Sequence, residues 1–312
     1  MNFEIIVITN TFHDLAKFDF EFVDLKILDI ESKEFREYIA ELNPRFDPQN
    51  FSFFQSVIDE SYNIKENKRY AIFKKNHKEN YESRNLYVAY QLLLIIFPSE
   101  LIIAHSVTFE DEAGFVQRVS MSSRQNNYSY EYDYLYYDEK NLPMINEFIA
   151  LTFERTKSTS YIGLAIENYV NSYTASHLHF QFITFCMALE NIIPGAQELS
   201  YRLKRSIAII CGNDKNICRR IYKNIDTIYK VRSKIVHGDK FDLKAIEPSL
   251  IYLNAIVSLL IIELLVHNID TNIILSERIT EIGFGDRILL SENWKEYKLN
   301  PITCNQVKYK VL

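Results

Sequence analysis

Tyr229-Lys-Val-Arg-Ser-Lys-Ile-Val-His-Gly238 ends an amphipathic helix, and its reading decides the fold of the C-terminal half of the chain. Upstream, Ile221, Ile225, Ile228 and Tyr229 recur at the three-to-four spacing of a helix with one apolar face, and Ile235 and Val236 continue that stripe. Arg232 lies on the stripe, three and four residues from Tyr229, Ile228, Ile235 and Val236. A guanidinium among apolar neighbours is costly unless it holds an anion or opens into a cleft. Gly238 stops the helix directly after His237.

Working outward, the segments after Asn141 read almost entirely as helices. Pro143 starts one over 144–152, and 161–172, 180–193, 198–211 and 216–237 follow. The most apolar run, within 245–267, contains Asn254, Ser258 and Glu263 and is slightly short for a bilayer span, so it reads as a buried core helix or a dimer interface. Before residue 140 the pattern is mixed. Strands are predicted over 3–9, 18–28 (with a bend near Phe22) and 70–73, with helices over 32–42 and 83–97. A hairpin is predicted from 101–109 and 115–121 around Glu110-Asp-Glu-Ala-Gly114. The alternating tyrosines 128, 130, 132, 134 and 136 read as a strand with one aromatic face, interleaved with acids and so better suited to packing or a partner than to phosphates. The resulting fold class is α+β: a mixed α/β N-terminal domain over 1–140, an all-α helical bundle over 141–285, and a C-terminal extension over 286–312.

The chain of 312 residues carries a net charge of -6, which argues against a generally polybasic protein. Its charge is nevertheless uneven. Between Ser200 and Ala245 twelve lysines and arginines face four aspartates, which favours a polyanionic partner there, the alternative being a solvated helix face. Cys186, Cys211, Cys218 and Cys304 read as reduced thiols of a cytoplasmic protein, and the N-terminus reads as a strand instead of a targeting segment. No nucleotide-cradling glycine loop is present. Cys211 and Cys218 lack further ligands at zinc spacing, and His177-x-His179 has no third ligand nearby, so neither metal nor cofactor is expected.

Arg232 and His237 hold the chemistry. A histidine at a helix end can give and take a proton near neutral pH. An arginine can grip a phosphate bidentately and stabilise charge developing on phosphorus. Together they supply what RNA cleavage through its own 2′-OH requires. The structural alternative is a capping histidine with the arginine in an ion pair, Glu190 being the named candidate.

The decapeptide resembles the signature of the HEPN superfamily, in particular its Apea-like branch: arginine, a polar residue (here Ser233), a few more positions, then histidine at the end of the third core helix. Phe185-Cys-Met-Ala-Leu-Glu190-Asn191 is similar to that family's earlier helix, and 201–212 to the helix between. The resemblance covers roughly residues 160–268 and leaves the first 140 unassigned. It implies a helical bundle that dimerises and brings two Arg-His pairs into one cleft of a metal-independent endoribonuclease with a toxin, abortive-infection or anti-phage role, leaving 2′,3′-cyclic phosphate ends. Carried over, Arg232 and His237 are the catalytic pair, with Glu190 and Ser233 as polar support. Lys230, Lys234, Arg219, Arg220 and Lys223 are the candidate RNA contacts in the basic window. RNA (tRNA among the candidates) and a second copy are the expected partners, with a protein or phage-derived trigger at residues 1–140 and no membrane. The rival expectation is a non-catalytic interaction or nucleic-acid-binding protein of the same fold.

Overall fold

A computed structural model describes residues 2–11, 13–42, 68–74, 84–99, 101–110, 135, 137–157, 161–175, 177–193, 198–241, 243–283 and 299–312. Its chain order is β1 (Asn2–Thr11), β2 (Leu25–Asp29), α1 (Lys33–Leu42), β3 (Lys68–Lys74), α2 (Arg84–Ile96), β4 (Ile102–Glu110), α3 (Leu142–Thr156), α4 (Tyr161–Ser172), α5 (Leu178–Ile192), α6 (Leu199–Cys211), α7 (Lys215–His237), α8 (Leu243–Val266), α9 (Asn272–Gly283) and α10 (Pro301–Tyr309). The class is α+β. The second hairpin strand and all five tyrosines of the ladder lie outside the described residues.

Two compact units result. The first contains a four-stranded antiparallel sheet in the order β2-β3-β1-β4. Ile5 to Ile8 of central β1 are all buried, so both faces of the strand are covered, and their near-continuous apolar run is what such a strand requires. The register sets Ile5 opposite Phe73 and Val7 opposite Ala71, with a bulge between Ile8 and Thr11. Helix α1 packs Phe35 and Tyr38 on Phe73, and the Tyr38 hydroxyl donates to the Lys74 carbonyl. The predicted strand over 18–28 is shorter than expected. Residues 15–17 and 21–23 form 3-10 turns, Asp24 adopts a left-handed backbone, and only Leu25–Asp29 pairs. Alternation of Phe18, Phe20 and Phe22 imitated a strand, but Phe18 and Phe20 are buried by turns that leave Phe22 half exposed.

The second unit is helical and does not begin at a single cut near residue 140. It takes in Gln91–Pro98, the second half of α2, together with everything from Leu151 onward, so the first part of α3 belongs with the sheet. Polar contacts explain the return of α2. Three of its carbonyls accept hydrogen bonds from the helical unit: Leu94 from the Tyr169 hydroxyl (3.2 Å), Ile95 from Ser258 (2.5 Å) and Ile96 from Asn300 (3.1 Å). The Tyr173 hydroxyl donates to Asn254 Oδ1 at 2.7 Å, and the Tyr169 oxygen lies 2.9 Å from the Tyr173 oxygen in the same buried polar network.

Helix α8 is the centre of the unit, packed by α4, α5, α6, α7 and α10. Its segment Ile246–Val266 is long and apolar enough to cross a membrane, yet 89% of its most apolar stretch is buried inside the protein. Of the two readings offered by the sequence, core helix or dimer interface, the structure has the core helix. Residues 301–309, expected in a C-terminal extension, form α10 against α7 and α8.

Candidate nucleic-acid interface

Helix α7 positions the candidate residues, and local chemistry fixes both of its ends. Asp214 caps the start, its carboxylate accepting from the amides of Asn216 (2.7 Å) and Ile217 (2.9 Å). Just before it, Gly212 is a close approach, because a Cβ there would lie 2.6 Å from both the Ala208 carbonyl and Cys218 Sγ. At the other end Gly238 takes φ 73°, and the Asp239 amide bonds back to the Lys234 carbonyl at 2.9 Å. This is a glycine-terminated C-cap that satisfies the last carbonyls. The helix stays regular through His237.

That regularity sorts the side chains by face. Ile217, Ile221, Ile225 and Ile228 are buried on one side. At 100° per residue, Arg219, Lys223, Lys230, Lys234 and His237 fall within about 60° of one another on the opposite side, along about 27 Å of helix. All five are exposed. Lys230 also pairs with Asp226 at 2.7 Å, and Asp226 takes Lys204 of α6 at 2.6 Å. Those two bonds, Lys204 first, hold the Asp226 carboxyl below its ordinary range.

Two expectations need correction. Arg220 is not part of the exposed basic face. It points about 80° away, donates to the Lys308 carbonyl at 2.6 Å and lies over the Tyr309 ring, so it anchors the C-terminal segment. The apolar stripe also ends early, since Val236 is 50% exposed and Ile235 only half-buried.

Arg232 shares the phase of the buried face near its C-terminal end, is 26% exposed, and has the partner its position demanded. Its Nη2 donates to Glu190 Oε2 at 3.3 Å, and its Nε lies 3.1 Å from Oε1, within ion-pairing distance although not aligned as a hydrogen bond. The Tyr229 hydroxyl donates to the same Oε1 at 2.6 Å. Burial, then the bond to Glu190, pushes the Tyr229 phenol up, so it remains a donor. Cys186, one turn before Glu190, is likewise pushed up by burial and by that carboxylate, which makes it an inert thiol. Ser233 is exposed.

Tyr229 joins the Arg232–Glu190 cluster without standing out in the sequence. It read only as one more member of the apolar stripe, although its place one turn before Arg232 on the same face was a signal. Glu190, a lone acid near the end of the apolar helix α5, was visible as its counterpart.

His177 and His179 stack on each other with ring centroids 5.5 Å apart and planes 9° from parallel. Among the described residues no group of three or more His, Cys, Asp or Glu could hold a metal ion. Compared with known protein families, curated proteins and solved structures, the chain matches none.

Proposed function

We propose that the protein is a HEPN-type endoribonuclease acting as a homodimer, its RNA tracked along α7 and cut where Arg232 and His237 from two copies converge. The observation that carries this reading is the single exposed face of α7, where Arg219, Lys223, Lys230 and Lys234 align with His237 at its end. Such a row neutralises successive phosphates, and the imidazole at its terminus lies where a phosphodiester on that row would end. In the reaction the 2′-oxygen bonds to the adjacent phosphorus as the bond to the 5′-oxygen breaks. His237 takes the 2′ proton, and an imidazolium returns one to the departing 5′-oxygen. Arg232 neutralises the non-bridging oxygens. Glu190 takes one Nη2 hydrogen and pairs electrostatically with Nε, which leaves the second Nη2 hydrogen and Nη1 of the guanidinium for phosphate.

The two catalytic side chains of one α7 point about 140° apart, and the intact last turn does not close that angle. A second copy is therefore part of the proposal. Purified protein should cut RNA with EDTA present, and His237→Ala and Arg232→Ala should each abolish cutting without lowering the melting temperature enough to unfold the chain. Mixing the two inactive variants is the sharper test. If the site is shared, re-equilibrated mixed dimers contain one intact Arg-His pair, and about a quarter of wild-type activity returns. A mixture as inactive as its parts, though it dimerises, removes the shared site.

The ion pair of Arg232 with Glu190 favours a second reading, in which the same basic face binds nucleic acid and the arginine is structural. Wild-type protein that binds RNA, loses affinity with Lys223→Glu and Lys234→Glu, and never cuts would establish it.

A further inference from the structure

Four aromatic side chains, His177, His179, Phe180 and Phe241, cluster near the end of the basic face of α7. Phe241 follows His237 by four residues, so its Cα lies within about 14 Å of that histidine whatever the path of the chain. From Phe241 the cluster continues onto the start of α5. The His179 ring lies 6.3 Å from Phe241 and 4.3 Å from Phe180, and His177 stacks against His179. Phe180 is 56% exposed and Phe241 37% exposed, and His177 is exposed as well.

Isolated exposed rings are ordinary, but two phenylalanines joined through stacked imidazoles form a contiguous aromatic surface. Its composition is specific. No acidic side chain of α5 stands in its first three turns, where the sequence runs Leu178 to Leu189 without a charge. The charges nearest Phe241 in sequence are the exposed Asp239 and Lys240, with Asp242 after it, and beyond His237 the positive row of α7 begins. A surface of π-faces beside a row of cations complements one kind of ligand, a polyanion with aromatic planes attached. Bases of single-stranded RNA stack on Phe, Tyr, Trp and His in this way, whereas a duplex keeps its bases inside the helix.

We infer that His179, Phe180 and Phe241 form a base-stacking platform that receives unpaired bases of an RNA whose backbone follows α7. Its consequence is selection: the platform admits single strands, loops and ends, and orders the nucleotides flanking a phosphate at His237. This rests on the reading of α7 as an RNA-tracking helix, and the test separates the two.

The ligand in the test is a 2′-O-methyl oligonucleotide, which lacks the nucleophile and so reports binding alone. Affinity is measured for a single strand, for the same strand with abasic positions, and for its duplex. Phe180→Ala with Phe241→Ala should weaken single-strand binding by about 5- to 100-fold per stacked base and leave the abasic strand and the duplex unaffected. Phe180→Trp should keep single-strand affinity. Both rings are exposed, so truncation leaves the core intact, and an unchanged melting curve verifies it. Equal affinity of wild type and the double variant for the single strand overturns the platform, and it does so without touching the α7 reading if Lys223→Glu and Lys234→Glu still lose affinity. The platform is also overturned, in favour of a contact between copies, if the double variant dissociates a dimer while RNA affinity stays constant. Wild-type protein that binds none of the three ligands refutes both readings together.

Discussion

Truncating Glu190 tests whether Arg232 is held or merely adjacent. Glu190→Ala removes the acceptor of the Tyr229 hydroxyl at 2.6 Å and the counter-ion of Arg232 at 3.1 to 3.3 Å. Fully buried pairs cost about 3–5 kcal/mol when one member is deleted, and exposed pairs about 0–1 kcal/mol. Here the side chains of Arg232 and Glu190 are 26% and 20% exposed, so water reaches the pair and the cost falls between those limits, at about 2 kcal/mol. For a unit of this size that corresponds to a drop of roughly 4–8 °C in melting temperature. Arg232→Ala and the double variant complete a cycle, read by urea unfolding followed through helical ellipticity. If the pair is real, the double variant loses less than the sum of the singles by about 1 kcal/mol or more. Additive losses would refute the argument, because they would mean that Glu190 and Arg232 contribute independently and that the arginine sits on the apolar face for another reason.

Two further outcomes follow from the same unit. Asn224 is buried on α7 and reads the C-terminal segment with both ends of its amide, donating to the Lys310 carbonyl at 2.9 Å and accepting from the Leu312 amide at 3.1 Å. Asn224→Ala should cost about 1–3 kcal/mol, and hydrogen exchange should accelerate at Leu312 while the middle of α8 stays protected. The second concerns pH: Asp226 is held below its ordinary value of 3.8 by Lys204 and Lys230, so its contribution is present above 3.8 and is lost as pH falls through the lower folded value. The pair is partly exposed and contributes no more than about 1 kcal/mol. In urea unfolding the advantage of wild type over Asp226→Asn should shrink as the buffer is taken from about pH 6 to about pH 3. An advantage that grows toward acid would contradict the assignment.

Periodicity made the helical unit legible, because α4 to α8 each carry an apolar pattern that agrees with their final burial, and because Asp214, Gly212 and Gly238 punctuate α7 by local chemistry alone. It failed where burial was produced by other means. Phe18 and Phe20 alternate as a strand would and are buried by 3-10 turns, while α2 divides its loyalty between two units through carbonyls, which no side-chain pattern encodes. Within the candidate site the same distinction holds. The basic face could be counted from the sequence by its helical phase, and that phase already set Arg220 apart from Arg219, Lys223, Lys230 and Lys234. Its use by the Lys308 carbonyl could not be read, since the partner is backbone from a segment 88 residues away. The aromatic platform was illegible for a similar reason: Phe241 and His179 are joined only by the packing of a loop against α5.

The offset between Arg232 and His237 is the strongest constraint on any mechanism that uses both. Two ways existed to bring them together in one chain: unwinding the last turn of α7, or swinging the arginine around the helix. The first is opposed by the cap, where Gly238 and Asp239 bond back to the final turn, and a helix that frays there gives up those bonds. The second requires Arg232 to leave Glu190 and cross from the buried edge to the exposed face, abandoning the only described carboxylate that pairs with it. Both motions cost stability, and neither gains a contact visible in the monomer. A shared site costs neither, because each copy keeps its helix capped and its arginine paired while the neighbour supplies the missing imidazole. The exposed Val236, one turn beyond Arg232 on the same flank, is apolar surface left for such a neighbour to cover. For the proposed cleavage, the geometry thus favours a site shared between two copies over a rearrangement within one.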